Sequence, residues 1–213
     1  KWNYIPKMIN WFIHYFKNCN HNSMMHTAKN MHQILSLSND AYEEIFQEID
    51  TTGLVEKNGI IYIWTNKNLK SRNLEIKVRK ELGIEQKLLS QKEVLDLEPN
   101  LQPVFDAGVI YESAMHARDP HGILKKIFKL YLERGGKFIQ TNIKNLEQIN
   151  INETAIRSEN EEYKFEKTVI ASGAFSKLLT DQLGENIPLD TERGYHVHFK
   201  GKDHLIKRPV IFL

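Results

Sequence analysis

The stretch TVIASGAFS, residues 168–176, decides the fold class, because a short apolar strand leads into four small residues just before a helix. Val169 and Ile170 are typical of a strand that is covered on both faces, as in an α/β sheet. The small residues 171–174 leave the backbone bare at the carboxyl end of this strand, where open α/β sheets bind their ligands. The stretch therefore predicts either a ligand that approaches the backbone or a helix that packs tightly after the strand.

Helix and strand patterns alternate along the rest of the chain. Asp119 can cap a helix that ends at the Gly-Gly pair 135–136. Ser90 and Glu93 have the spacing of a capping box, which predicts a helix over 91–97. Further helices are predicted over 5–16, 26–49, 66–82 and 175–183, and strands over 59–64, 86–89, 107–113, 137–141, 143–149, 153–158, 163–172 and 193–199, with a hairpin turn at 159–162. This order predicts an α/β fold of mixed α+β character.

Two of the predicted helices carry a long apolar face. In the helix after Asp119 the residues expected to be buried are Ile123, Leu124, Ile127, Phe128, and Tyr131 or Leu132. The N-terminal helix over 5–16 is edged with lysine, and no acidic residue precedes Asp40. We expect this N-terminal helix either to pack on its own domain or to lie on an anionic membrane surface.

Composition excludes several classes of function. Apolar residues make up 41% of the chain and charged residues 26%, which is typical of a globular protein. A net charge of +2 without a concentrated basic face does not indicate nucleic-acid binding. Cys19 is the single cysteine, so an internal disulfide is impossible and a reducing compartment is favoured. No apolar run approaches the roughly 20 residues that span a bilayer.

Nucleophilic and metal chemistry are both disfavoured by the motifs. Ser172 and Ser176 follow a strand, but the G-x-S-x-G elbow of serine hydrolases is missing around them. His196 and His198 would point the same way from one strand, yet no third ligand stands at a recognised spacing. We therefore predict no catalytic serine and no metal site.

The segment ERGYHVH offers groups that suit a substrate carboxylate. An arginine fork and a tyrosine hydroxyl can together hold a carboxylate and orient its alpha carbon. Strand alternation places Arg193 and Tyr195 on one face and His196 on the other, so only one of these faces can line a site. The alternative is a half-buried strand with its histidines in solvent.

Taken together, these motifs resemble the FAD-dependent oxidoreductases of the D-amino acid oxidase superfamily, and within it the branch of D-amino acid dehydrogenase small subunits. The resemblance covers nearly the whole chain, through DAGVIY, RDPHGILKKIFKLYLERGGKFIQTNIKNLEQI and KTVIASGAFSKLLTDQLGENIPLDTERGYHVHF. Its specific part combines a D-P-x-x-x-L helix, a Gly-Gly turn, a hairpin, A-x-G-A-aromatic-S and P-L-x-x-x-R-G-Y.

The resemblance implies a cofactor site. The A-x-G-A-aromatic-S stretch of the family passes along bound FAD, which makes Ala171, Ser172 and Gly173 candidates for cofactor contact. By position, Ile143 would be the residue whose backbone meets the adenine. On the substrate side the candidates are Arg193, Tyr195 and His196.

The resemblance also implies a division of the chain. Residues 1–117 would begin the substrate domain, 118–184 would form the central part of a Rossmann-like FAD domain, and 185–213 would return to the mixed-sheet substrate domain. The family's G-x-G-x-x-G fingerprint would precede Lys1, and another FAD-contacting segment would follow Leu213. We therefore expect an interior fragment that is inactive and holds FAD weakly by itself.

Three functions remain open at this stage. The first is a dehydrogenase that oxidises D-amino acids or related small amine acids and passes electrons to the respiratory chain, from the cytoplasm or at the inner face of the membrane. The second is an oxygen-using amine oxidase of the glycine or sarcosine type. The third is a flavoprotein-like binding module without catalysis.

Overall fold

The computed structural model describes residues 5–66, 69–189, 191, 193–199 and 205–213. These residues form two compact units. The first unit comprises the described residues within 1–135 and 202–213, and the second unit comprises those within 136–201. The three-part division into substrate and FAD domains stays a prediction, since it concerns what each part binds.

Helices and short strands alternate along the chain. In order, the elements are α1 (Ile5–Asn18), α2 (His21–Leu35), α3 (Ser38–Phe46), β1 (Val55–Glu56), β2 (Ile60–Trp64), α4 (Leu69–Glu81), β3 (Lys87–Ser90), α5 (Gln91–Leu97), β4 (Ala107–Tyr111), β5 (His116–Ala117), α6 (Pro120–Glu133), β6 (Asn145–Asn150), β7 (Glu153–Arg157), β8 (Glu162–Phe165), α7 (Ser176–Thr180) and β9 (Val210–Phe212). Short 3-10 turns at Gly173–Phe175 and Asp181–Leu183 flank α7. The predicted mixture of helices and strands is confirmed.

A four-stranded mixed sheet forms the core of the first unit, in the order β3-β4-β2-β9. β4 is antiparallel to β2 and β3, whereas β9 runs parallel to β2. The residues of β2 alternate between the two faces, so Ile61 and Ile63 pack with Val94 of α5 while Trp64 joins the opposite cluster. The two buried clusters consist of Ile61, Ile63, Leu89, Val94, Phe105 and Ile110, and of Trp64, Val109 and Tyr111.

Gly108 allows α5 to lie directly against this sheet. A Cβ on Gly108 would lie 2.9 Å from Val94 Cγ2 and 2.9 Å from the carbonyl oxygen of Tyr62. Both contacts are shorter than van der Waals packing permits, so the position requires glycine for steric reasons.

The helix ends follow the predicted caps. Glu93 N–H donates to Ser90 Oγ over 3.3 Å and Ser90 N–H donates to Glu93 Oε2 over 2.8 Å, which completes the capping box of α5. At α6, Gly122 N–H donates to Asp119 Oδ1 over 2.9 Å. Gly135, at φ 85°, terminates α6 in the left-handed conformation. The predicted bounds of α5 and α6 are confirmed.

The second unit is built on the three-stranded antiparallel sheet β6-β7-β8. Ser158 N–H donates to the carbonyl oxygen of Glu161 over 2.9 Å and closes the predicted polar turn between β7 and β8. Leu146 and Ala155 are the buried apolar residues of this sheet in the described part of the second unit. Its core is therefore small.

Three predicted strands do not form. Residues 137–141, 168–172 and 193–199 have no strand structure, and Val169 is 89% exposed. The prediction that 168–172 is a strand covered on both faces is therefore wrong. A strand needs a hydrogen-bonded neighbour, and no described strand pairs with these three segments.

The apolar helix faces are also less buried than predicted. On α6 Ile123 is buried, but the exposed residues include Leu124, Phe128, Tyr131 and Leu132. The α6 face is thus covered only near its start, and the predicted burial of the whole face is wrong. On α1 the side chains from Trp11 to Phe16 are exposed, with Trp11 stacked on Tyr15. The packing of α1 on its own domain and its alternative, a contact with a membrane surface, both stay predictions.

The helix predicted over 26–49 is interrupted. The Ser38 hydroxyl donates to the carbonyl oxygen of Leu35 over 2.6 Å, and it competes with the backbone bonds that would continue α2 into α3. The pattern therefore produces two helices instead of one.

Candidate cofactor site

The second unit contains a cavity of about 590 Å³, within the range of roughly 300–1,000 Å³ that small-molecule pockets have. Two segments line it. We call the first the β6 wall, which is the segment 141–144 that leads into β6, and the second the α7 wall, which is the segment 172–182 that contains α7. The lining residues are Thr141, Asn142, Ile143 and Lys144 from the β6 wall, and Ser172, Phe175, Leu178, Leu179 and Gln182 from the α7 wall.

The β6 wall is held by the sheet that follows it. Lys144 N–H donates to the carbonyl oxygen of Arg157 over 2.9 Å, which extends the ladder between β6 and β7 by one residue. Ile143 is half-buried and Leu146 is buried. The backbone around Ile143 is thereby attached to the three-stranded sheet of the second unit.

The α7 wall begins at the small residues of the sequence TVIASGAFS. Gly173 has φ 55°, and no atom lies within 4 Å of the position that a Cβ would take there. Phe175 N–H donates to the carbonyl oxygen of Ser172 over 3.1 Å, which forms the turn before α7. Gly184, at φ 78°, ends the helical segment as predicted. The backbone at Ser172 and Gly173 is sterically open to a ligand.

Gln182 joins the two walls. Its Oε1 accepts a hydrogen bond from Leu146 N–H over 2.9 Å, and its Nε2 donates to the carbonyl oxygen of Lys144 over 3.1 Å. Nε2 also donates to the carbonyl oxygen of Leu178 over 3.1 Å. A single carboxamide thus connects segments 36 and 38 residues apart in sequence.

The cavity has a simple charge pattern. Among its lining residues Lys144 is the cation, and none is a carboxylate. Lys144 Nζ lies 3.2 Å from a carboxylate oxygen of Glu159, which leaves it partly neutralised at the rim. Amide and hydroxyl groups with one ammonium suit a neutral polar or an anionic ligand better than a cation.

The structure brings together some of the residues that the sequence singled out. Ile143 and Ser172 line the same cavity, and Ala171 and Gly173 are exposed on either side of Ser172. Sequence reasoning missed the lining residues Thr141, Asn142, Lys144, Phe175, Leu178, Leu179 and Gln182. For Gln182, the signal in the sequence was a polar side chain in the last turn of the predicted helix before Gly184.

The substrate-side candidates lie elsewhere on the second unit. Arg193, Tyr195 and His196 are exposed and do not line the cavity, and Tyr195 is 86% exposed. The rings of His196 and His198 lie 4.7 Å apart between centroids, edge to face, although the segment does not form the strand from which their shared direction was predicted. The roles of Arg193, Tyr195 and His196 toward substrate stay predictions.

Metal-binding clusters and membrane-spanning helices are both absent from the part of the chain that the structure describes. There, His, Cys, Asp and Glu form no group of three or more that could hold a metal ion. In the same residues, no helix combines the length and apolar character that crossing a membrane requires.

The class of protein follows from a family comparison. A family model described as FAD dependent oxidoreductase matches residues 11–212, and the chain belongs to this family. The predicted family and its cofactor, FAD, are confirmed at this level.

Particular relatives agree with the family. The chain is similar to a D-amino-acid oxidase of Bradyrhizobium diazoefficiens, with 29% identity over 92% of this chain and 47% of the relative. It is also similar to a D-amino acid dehydrogenase of Vibrio atlanticus, with 23% identity over 89% of this chain and 46% of the relative. The chain thus spans about half the length of the curated relatives it matches.

A solved structure shows the same fold. The crystal structure of glycine oxidase from Geobacillus kaustophilus matches with a TM-score of 0.57 and 18% identity, covering 70% of this chain and 40% of that chain.

The cavity of the second unit fits a portion of FAD on structural grounds. The open backbone at Gly173 would admit a flat or phosphorylated group, because a Cβ there meets no atom within 4 Å. The lining supplies hydroxyl and amide groups with one cation, which match the polar edges of a nucleotide.

Proposed function

We propose that this chain is part of an FAD-dependent enzyme that oxidises D-amino acids or related small amine acids. The observation that carries the proposal is that Ile143 and Ser172, 29 positions apart in the sequence, line the same cavity. The chain that contains this cavity belongs to the FAD-dependent oxidoreductase family. The names of the two relatives, a D-amino-acid oxidase and a D-amino acid dehydrogenase, support the substrate class.

In this proposal the second unit holds part of the cofactor. The β6 wall at Ile143 and the open backbone at Ala171, Ser172 and Gly173 would contact FAD, and Lys144 would favour its negative charge. FAD held there would supply the hydride acceptor for oxidation at the alpha carbon of the substrate, which would give an imine that water hydrolyses to a 2-oxo acid and ammonia. The protein contributes by placing that carbon and excluding water.

The substrate side of the proposal involves an exposed segment. Arg193 offers a guanidinium fork for the substrate carboxylate, and Tyr195 or His196 would orient the alpha carbon. Replacing Tyr195 by Phe or His196 by Ala in the intact protein should alter substrate oxidation and leave the flavin absorbance unchanged. Normal kinetics in both variants would refute the roles of Tyr195 and His196.

The test of the activity uses the protein expressed from its intact reading frame. After reconstitution with FAD and desalting, we expect stoichiometric flavin absorbance that bleaches without oxygen when a D-amino acid such as D-alanine is added. The L-enantiomer serves as the matched control. A protein that retains no flavin, or that bleaches equally with both enantiomers, would overturn the proposal.

The electron acceptor distinguishes two forms of the proposal. The exposed aromatic side chains of α1, in a region without acidic residues before Asp40, favour a peripheral membrane contact and a respiratory acceptor. The match to glycine oxidase supports a fold shared with oxygen-using enzymes. Hydrogen peroxide formed in stoichiometric amounts with substrate, and bleaching by glycine or sarcosine, would favour the amine oxidase.

A further inference from the structure

We propose that Gln182 is the positioning residue of the cofactor site, because its carboxamide sets the β6 wall against the α7 wall. The inference rests on the proposed function, which assigns the cavity between these walls to FAD. Gln182 acts through the backbone that it holds.

The hydrogen bonds of Gln182 are the first support. Among the described residues, the hydrogen bonds found between the β6 side of the cavity and the α7 wall run from Gln182 to Leu146 N–H and to the carbonyl oxygen of Lys144. The donor, Leu146 N–H, and the acceptor, the carbonyl oxygen of Lys144, both belong to the backbone within three residues after Ile143. Removing the carboxamide therefore leaves the two walls without a directional link.

The open edge of β6 is the second support. β6 has β7 as its neighbour on one side in the sheet order β6-β7-β8, and Leu146 N–H is directed to Gln182 instead of to a strand. Leu146 is buried, so this N–H depends on a protein acceptor. Gln182 covers the edge strand at the point where the cavity begins.

Among side chains of similar size, only glutamine offers both the acceptor and the donor that its backbone partners require. Oε1 is needed as an acceptor for Leu146 N–H, and Nε2 is needed as a donor for two carbonyl oxygens, of Lys144 and Leu178. Glutamate keeps the acceptor but faces two carbonyl oxygens with a negative charge. Leucine has a similar volume and makes neither bond.

The consequence for the cofactor is geometric. Ile143 and Ser172 stand on opposite walls, and a ligand that contacts both must find them at a fixed separation. When that separation is set before binding, the ligand does not have to order the walls itself. We therefore expect Gln182 to affect FAD affinity much more than turnover of the fully loaded enzyme.

The experiment compares Gln182→Leu with Gln148→Leu in the intact protein. Gln148 lies on the same strand, β6, and is exposed. In Q182L the dissociation constant for FAD, measured by flavin fluorescence with the apoprotein, should rise about tenfold or more, because both hydrogen bonds to Lys144 and Leu146 are lost. With saturating FAD, kcat should stay within about twofold of wild type, whereas Q148L should match wild type throughout.

A second measurement separates the inference from the proposed function. Hydrogen exchange of the apoprotein should become faster at residues 141–146 in Q182L and stay unchanged in Q148L. A wild-type protein that binds no FAD contradicts the proposed function, whatever the exchange shows. Wild-type FAD affinity or unchanged exchange in Q182L overturns the positioning role while the proposed function stands. Where Q182L does not fold, Gln182→Glu replaces it, since this variant keeps the acceptor for Leu146 N–H.

Discussion

The two units of the molecule differ most in how their sheets are covered. The four-stranded sheet of the first unit is packed on both faces by buried clusters, one around Ile61 and one around Trp64. The three-stranded sheet of the second unit buries Leu146 and Ala155, and the segments around it are mostly exposed. The first unit thus has a core on both sides of its sheet, whereas the second unit leaves much of its backbone and side chains exposed.

This difference has an energetic meaning. Burial of apolar surface is the main source of stability, at about 25 cal/mol for each Å² removed from water. The second unit removes little such surface, so under the proposed assignment of FAD to its cavity the cofactor would contribute a larger share of its stability than in the first unit. The following three predictions test this contrast, beginning with the largest expected effect.

The core of the first unit should be highly sensitive to truncation. Phe105 is 1% exposed and belongs to the cluster around Ile61. Phe105→Ala should lower the free energy of unfolding by about 4 kcal/mol, measured by urea denaturation, because it removes a buried ring and leaves a cavity. Val104, 67% exposed, provides the control: Val104→Ala should change the free energy by less than about 0.5 kcal/mol. Equal effects of the two variants would contradict the assigned core.

Removing the buried carboxylate of Glu98 should have the second-largest effect on the free energy of unfolding. Glu98 is 1% exposed; its Oε1 accepts from Arg208 Nε over 3.0 Å and its Oε2 accepts from Lys207 N–H over 2.9 Å. Glu98→Ala should cost about 3 kcal/mol in urea denaturation, because it leaves a mostly buried guanidinium without its acceptor.

Two variants control the Glu98 prediction. Glu98→Gln retains an acceptor for Lys207 N–H and should cost less than the alanine variant. Glu112→Ala removes an exposed carboxylate from the same unit and should have little effect. A Glu98→Ala variant as stable as Glu112→Ala would show that the ion pair does not hold the segment 205–209.

The stability of the second unit should depend on pH through an exposed ion pair, and this effect should be the smallest of the three. The hydrogen bond from Arg157 lowers the pKa of Glu162 below the usual 4.5, and Arg157 also pairs with Glu147. A lowered pKa in the folded state means that the contribution of Glu162 is present above pH 4.5 and is lost as the pH falls through the folded-state pKa.

NMR titration of the Glu162 carboxyl group measures this effect. The pKa should lie below 4.5 in the wild type and move back toward 4.5 in Arg157→Gln. An identical pKa in the two proteins would contradict the assigned pairing. Because the groups are exposed, high salt should reduce the difference.

Local signals in the sequence predicted much of the first unit and little of the site. The capping box of Ser90 and Glu93 acts between residues three apart, and Asp119 caps α6 over the same short distance. Such contacts depend only on neighbouring residues, so the sequence reveals them directly. The strand GIIYIW was equally clear, because it alternates between two covered faces.

The errors arose where a pattern depends on distant partners. Val169 and Tyr195 lie in segments with strand-like composition, but composition cannot supply the neighbour that a strand requires. In the site, Ile143 and Ser172 were found by resemblance to a family. Gln182 could not be found in this way, because its partners Lys144 and Leu146 lie 38 and 36 residues earlier and carry no motif.

The parallel pairing of β9 with β2 also has a consequence for how the protein is made. Asn58, just before β2, donates to the carbonyl oxygen of Lys207, 149 residues later. During synthesis from the N-terminus, one edge of β2 stays unpaired until residues 205–213 have emerged. Over the same period Glu98 lacks its partner Arg208. Until then the unpaired edge of β2 could pair with strands of other chains, so this edge is where chaperone binding would protect the nascent first unit.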